Sequence, residues 1–324
     1  MTPALTIRQL KYFVAVYESG SISKAAKREN CSQPGLSAQV HNLEQIIGNP
    51  LFERSVAGIA PTAAGQRFYR HAIGILRTVQ RAEQEMTDLG REVSGMVRVG
   101  LIPSIVRGLL PEFLPGFVDA YPLVDIQLVE AFSGILAEWV SDHKIDLAVV
   151  VEPPQHAGMA VRKLTDSFAV LISGRALNQP PLAPVRLSDL APLKLVVPSP
   201  RHSLHGMIDR AIRTGSLRVE RLIELDTVTG MIEFVRRSDW ATILPLAAVV
   251  ADLGSDQLRV NPIVEPAIAT DLYLIHLQQT LLSRAAETFV AALKAKTETV
   301  SDIWAAAVKA VPVDARRTRT TRKR

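Results

Sequence analysis

Residues 20–51 read GSISKAAKRENCSQPGLSAQVHNLEQIIGNPL, and their caps, small residues and apolar spacing predict two short helices joined by a tight turn. Ser23 offers its hydroxyl to an orphan N–H of a first turn, so the first helix is expected to start there and run through Ala25 and Ala26. Two adjacent alanines let a second helix cross closely. Ser32 announces that second helix, with Pro34 tolerated in the first turn because the N–H it lacks had no intrahelical partner. Leu36, Val40, Leu43 and Ile47 fall at helical spacing and bury one face. The opposite face carries Gln33, Gly35, Ser37, Gln39, His41 and Asn42, whose amides and hydroxyls suit base edges in a major groove. Gly48 stops the helix. The whole reads as a DNA-binding helix-turn-helix, although any small helical domain shares its caps and apolar stripe.

Beyond Gly48 the chain continues as Asn49-Pro50-Leu51-Phe52-Glu53-Arg54, a short loop, and Pro61-Thr62-Ala63-Ala64-Gly65. Arg54 and Arg67 bracket the loop, which suits a wing whose cations touch phosphates and fix register without reading sequence. These words, together with Leu10-Lys11-Tyr12-Phe13, Gly20-Ser21, Ala25-Ala26, Ser32-Gln33-Pro34, Leu36-Ser37 and Leu43-Glu44, resemble the LysR-type transcriptional regulators in identity and order. The resemblance covers nearly the whole chain. It implies a winged helix-turn-helix with Gln33, Pro34, Ser37 and Gln39 near the DNA, and Ser32, His41 and Arg54 join them as candidate DNA-binding residues of this sequence. Glu29, Gly35, Ala38, His41 and Pro61 depart from the usual family residues; Gly35 inside a helix costs about 0.5–1 kcal/mol against alanine.

Composition fits a soluble, cytoplasmic protein of several domains, since 324 residues with 48% hydrophobic content can bury more than one core. Thr2 to Arg8 lacks the pattern of a signal peptide, and no segment reaches the ~18 apolar residues of a membrane span. No membrane partner, metal or bound cofactor is expected. The single Cys31 cannot form an internal disulfide and reads as a small buried hydrophobe. The net charge of +5 resides in the tail DARRTRTTRKR at 314–324, while residues 1–90 carry 10 basic against 7 acidic groups. A basic head on a mildly acidic body suits DNA binding at one end. The tail lacks the apolar content to pack, and it is either a solubilising end or an auxiliary DNA contact.

Phe68, Ala72, Ile75, Val79, Ala82, Met86 and Leu89 alternate at spacings of four and three, a heptad seam that predicts a dimerising linker helix. A dimer would read two half-sites about 34–36 Å apart, or a multiple of that. The resemblance further suggests a tetramer, and RNA polymerase is a further candidate partner. The expected divisions are a DNA-binding domain over 1–60, a linker helix over 61–92, a regulatory domain over 93–300, and a C-terminal helix and tail over 301–324.

From Met96 onward, strands alternate with helices in an α/β pattern. Strands are expected at 96–101, 124–129, 145–151, 168–172, 193–197, 221–225, 241–244, 258–261 and 272–276. Helices are expected at 105–121, 134–141, 204–214, 229–237 and 281–295. The resemblance implies two Rossmann-like lobes of the periplasmic-binding-protein type, about 93–164 with 270–300 and about 165–269, with the chain crossing near Thr165 and returning near Thr270. Ligands in such sheets lie beyond the carboxyl ends of strands, where helix N-termini aim N–H groups. That rule selects Ser104, Ser133, Ser199, Pro200, Arg201 and Thr227 for a small-molecule effector, with an organic anion as the family-weighted class. The serines and Thr227 would serve equally as plain N-caps.

Catalysis finds little support, for there is no Walker loop, GxSxG elbow, HExxH or cysteine pair. His143, His156, His202, His205 and His276 are scattered. A solute-binding protein built on the same lobes is the other alternative, and the N-terminal head argues against it.

Overall fold

Thr6 opens the first helix with a reciprocal cap: its hydroxyl accepts from the Gln9 N–H, and the Gln9 side chain accepts from the Thr6 N–H. That helix, α1 (Ile7–Ser19), ends on Gly20 at φ +59°, and α2 (Ile22–Arg28) and α3 (Gln33–Ile47) follow. The computed structural model describes residues 4–55, 58–87, 92–154, 158–174, 177 and 179–309. Contacts divide the chain into two compact units, residues 1–91 and 92–324.

In the first unit, Ser21 rather than Ser23 caps α2, because Ser21 has extended backbone and accepts from the Lys24 N–H. Ser23 lies inside the helix and donates to Gln33 Oε1 at 3.0 Å. Ser32 caps α3, and Gly48 closes it in the left-handed region at φ +74°. Ala15, Val16, Ala25, Ala26, Leu36 and Val40 form a shared core where the three helices cross. Cys31 packs beside this core but stays half-buried, which corrects its expected burial. A hairpin of β1 (Phe52–Ser55) and β2 (Gly58–Pro61) follows, then α4 (Ala63–Thr87). Glu44 Oε1 accepts from the N–H groups of Leu51 and Phe52, tying the hairpin to α3. Gly65 lets α4 start against Leu51, since a Cβ there would stand 2.0 Å from the Leu51 carbonyl oxygen.

The second unit holds two sheets. The first lobe is built from β3 (Gly95–Leu101), α5 (Pro103–Gly108), α6 (Leu110–Ala120), β4 (Val124–Glu130), α7 (Ser133–Ser141), β5 (Leu147–Val150) and β6 (Met159–Thr165). The chain then crosses into β7 (Ala169–Ser173), β8 (Val185–Arg186), β9 (Leu193–Val197), α8 (Ser203–Arg213), β10 (Val219–Glu224), α9 (Val228–Arg236), β11 (Ala241–Pro245) and β12 (Arg259–Glu265). It returns with β13 (Leu272–Leu277) and ends in α10 (Arg284–Lys309). The sheets run β4-β3-β5-β13-β6 and β10-β9-β11-β7-β12-β8. The two crossings are hydrogen-bonded together: the Thr270 N–H donates to Ser167 O at 2.7 Å, and their hydroxyls meet at 3.2 Å.

The single helix expected over 105–121 is two helices. Pro111 lacks the N–H that would bond the Arg107 carbonyl, so the chain breaks at Leu109 and restarts as α6. The freed α5 packs tightly on the 3₁₀ turn Leu246–Ala248 of the second lobe. A Cβ on Gly108 would lie 1.8 Å from the Ala247 carbonyl oxygen. Beside this contact, Asp252 receives Arg107 at 2.6 Å and Arg236 at 2.7 Å, with every partner largely buried. Burial pushes the Asp252 carboxyl up, but hydrogen bonds from Arg107 and Arg236 prevail and hold it below its ordinary 3.8.

Asp252→Asn is therefore expected to destabilise this unit by about 3 kcal/mol at neutral pH, because two arginines lose their shared counter-charge. Urea denaturation of both proteins measures it. A depressed carboxylate contributes stability above its unfolded pKa and loses it as pH falls through the folded one, so the gap between the two proteins should close on acidification below 3.8.

Candidate functional site

The outer face of α3 is polar and open. Leu36 and Leu43 are fully buried and Val40 nearly so, while Gln33, Pro34, Ser37, His41 and Asn42 are exposed and Gln39 is half-buried. Ser32 is exposed, but its hydroxyl is occupied by the Gly35 N–H. Gln33 has its carbonyl oxygen engaged by Ser23, which leaves the amide donors for a groove acceptor. His41 stands 4.0 Å from Glu44. Arg54 lies in β1, and its side chain is outside the described residues. Arg67 is exposed. Lys24 and Lys27 on α2 are exposed cations that the sequence reading passed over. Their position on the helix preceding the turn was the available signal.

The stripe on α4 divides in two. Phe68 contacts Phe13 edge-on, with centroids 5.0 Å apart, and Ala72 is fully buried in the same cluster, so both face α1 of their own head. This corrects their assignment to a dimer seam: the first turns of α4 are needed to close the head core. Ile75 at 42% and Met86 at 66% exposure remain open, as does Ala82, with Val79 half-buried. Leu89 lies outside the described residues, as do His156 and the basic tail. Tyr69, one turn before Ile73, stacks on Tyr17 at 3.9 Å and donates to Glu18, which also binds Arg28. Burial, then the Glu18 hydrogen bond, drives the Tyr69 phenol pKa upward.

Between the two lobes lies a cavity of about 180 Å³. Its walls come from the carboxyl ends of β3, β5 and β11 and from the starts of α5, α7, α8 and α9, as the strand-end rule requires. Ser104, Ser133 and Arg201 of the expected set line it. Ser199, Pro200 and Thr227 do not. The Ser199 hydroxyl and N–H both donate to Asp226 at 2.8 Å, hydrogen bonds that hold the Asp226 carboxyl low. Thr227 accepts from the Gly230 N–H and caps α9, leaving Val228 as the cavity neighbour. Two polar residues outside the expected set line the cavity, Glu152 and His202. Glu152 follows the strand ending at Val150, so the rule that selected the serines also reaches it.

His202 caps α8. Its Nδ1 accepts from the Leu204 N–H at 3.2 Å, which puts the proton of the neutral ring on Nε2. The ring meets Phe132 edge-on at 5.2 Å. Burial lowers the His202 pKa, with Asp226 opposing. Among the described residues no cluster of His, Cys, Asp or Glu could hold a metal ion, and no helix is long and apolar enough to cross a membrane.

Comparison with known proteins matches residues 7–66 to the "bacterial regulatory helix-turn-helix protein, lysR family" and residues 90–298 to the "LysR substrate binding domain". The nitrogen assimilation regulatory protein nac of Escherichia coli is 27% identical over 271 residues, which cover 83% of this chain and 88% of the relative. Full-length OxyR from Pseudomonas aeruginosa, in a variant form, shares the fold at a TM-score of 0.66, 20% identity, and coverage of 90% and 98% of the two chains. Full-length CbnR in complex with its target DNA shares it at 0.60, with 24% identity over 90% of this chain and 100% of that one.

The His202 ring is expected to titrate below its ordinary 6.5 in an NMR titration. A base with a depressed folded pKa loses stability as pH falls, because the unfolded chain takes up the proton first. Melting temperature should therefore drop as pH falls below 6.5, and His202→Asn, which keeps a cap, should flatten that part of the curve.

Proposed function

The chain belongs to the LysR family of transcriptional regulators, and from that premise we propose which of its residues read DNA, which join copies and which bind an effector. Gln33, Pro34, Ser37, Gln39 and His41 enter the major groove, where amides and hydroxyls bond base edges and the Pro34 ring offers an apolar contact to a thymine methyl. Ser32 holds the helix start, and Arg54 from the hairpin contacts phosphate. The open part of the α4 stripe, Ile75, Val79, Ala82 and Met86, pairs two copies in a dimer, and dimers pair in a tetramer. The protein acts in the cytoplasm on double-stranded DNA, without catalysis of its own. A small carboxylate-bearing effector enters the interlobe cavity through Ser104, Ser133 and Arg201 and favours one assembly over another. Unequal affinity for the two assemblies is the physical requirement, since equal affinity shifts nothing.

The observation that carries this reading is the polarity of α3: its inner face is buried to completion at Leu36 and Leu43, while among the described residues its outer polar side chains have no partner beyond the Ser23–Gln33 hydrogen bond and the His41–Glu44 pair. Gln33→Ala and Ser37→Ala are each expected to weaken cognate binding by about 1–3 kcal/mol and to leave random-sequence binding almost unchanged. Arg54→Ala should weaken both alike and flatten the salt dependence. Fluorescence anisotropy on cognate and scrambled duplexes measures all three, and equal losses on both duplexes for every variant would overturn the division of roles.

A further inference from the structure

The cleft presents an acceptor as well as donors, and the pairing constrains the ligand more than the donors alone. Ser104 is 4% exposed and lines the cavity, and its hydroxyl has no hydrogen-bond partner among the described residues. A hydroxyl on the cavity wall with no protein partner can donate to a ligand carboxylate. Nearby, α7 begins with no side-chain cap, whereas α8 and α9 are capped by His202 and Thr227. Free N–H groups for a carboxylate therefore concentrate at Ser133 and Gly134 on the first lobe.

Glu152 adds an acceptor to the same space, opposite in charge to Arg201. It lines the cavity and also a wider recess of about 640 Å³, which it shares with Glu138. Both carboxylates are exposed, and neither has an ion-pair partner among the described residues. Arg201 on the same wall can offset the Glu152 charge for a simple carboxylate, while a ligand that carries its own donor also gains a charge-assisted hydrogen bond to Glu152. The remaining walls, including Phe132, Val228 and Leu244, are apolar. At about 180 Å³ the space slightly exceeds the ~150 Å³ that holds a benzene ring.

Resting on the reading of this cleft as the effector site, we propose that its ligand is a small amino- or hydroxy-carboxylic acid, with its carboxylate on Ser104, Ser133 and the start of α7 and its second polar group donating to Glu152. Titration calorimetry on the full chain tests this with matched probes: L-leucine beside isocaproate, L-phenylalanine beside hydrocinnamate, and mandelate beside phenylacetate. At least one donor-bearing probe should bind about tenfold more tightly than its partner lacking the donor, a difference of about 1.4 kcal/mol. Glu152→Gln should erase the advantage of an amino acid and spare that of mandelate, because a neutral amide still accepts from a hydroxyl. Glu152→Leu should erase both, and Ser104→Ala should weaken both members of a pair alike. Circular dichroism establishes that the variants fold. If the simple acids bind as tightly as their partners, and do so through Ser104, the proposal falls while the effector cleft stands. Absence of binding across the panel overturns the proposal together with the assignment of the cleft to a small carboxylate.

Discussion

Asp252 receives Arg107 from the first lobe and Arg236 from the second, and the cavity between the lobes takes its shape from that junction. Arg107 sits near the end of α5 and Arg236 at the end of α9, and the opposite ends of the same two helices carry Ser104 and Val228 into the cavity. Fixing one end of a short helix fixes the other. Gly108 makes the arrangement possible, because no side chain fits between α5 and the Ala247 carbonyl. The carboxylate is stable there only as a shared partner, since a buried charge without compensation costs several kcal/mol.

Inside the DNA-binding head the same logic runs through caps. Thr6, Ser21, Ser32 and Glu44 spend their oxygens on backbone N–H groups at helix starts and at the entry to the hairpin. The aromatic cluster of Phe13, Phe52 and Phe68 closes the core beneath them. With those tasks assigned elsewhere, the polar residues on the outer turns of α3 stay open at the surface, where the proposed function places DNA.

Much of this was legible in the sequence where a residue type has one dominant physical use. Gly48 ends α3 and Ser32 begins it, and the largely apolar segments at 193–197 and 241–244 are strands paired parallel in the second lobe. The misses have equally physical origins. Ser21 and Ser23 are both good caps, and only the extended backbone at Ser21 decides between them. β6 escaped because Arg162 and Lys163 interrupt its apolar run, as an edge strand allows. Phe68 and Ala72 satisfy a heptad pattern, yet periodicity cannot say whether the partner face belongs to another copy or to α1. Ser199 stands beyond a strand as the ligand rule asks, but Asp226, far along the chain, claims its hydroxyl.

Footprinting of the purified protein on the DNA upstream of its own coding region, at moderate salt with excess competitor, tests the central claim most directly. The account predicts a protected, approximately two-fold symmetric site spanning several helical turns. Uniform or absent protection by protein shown to be folded would contradict it.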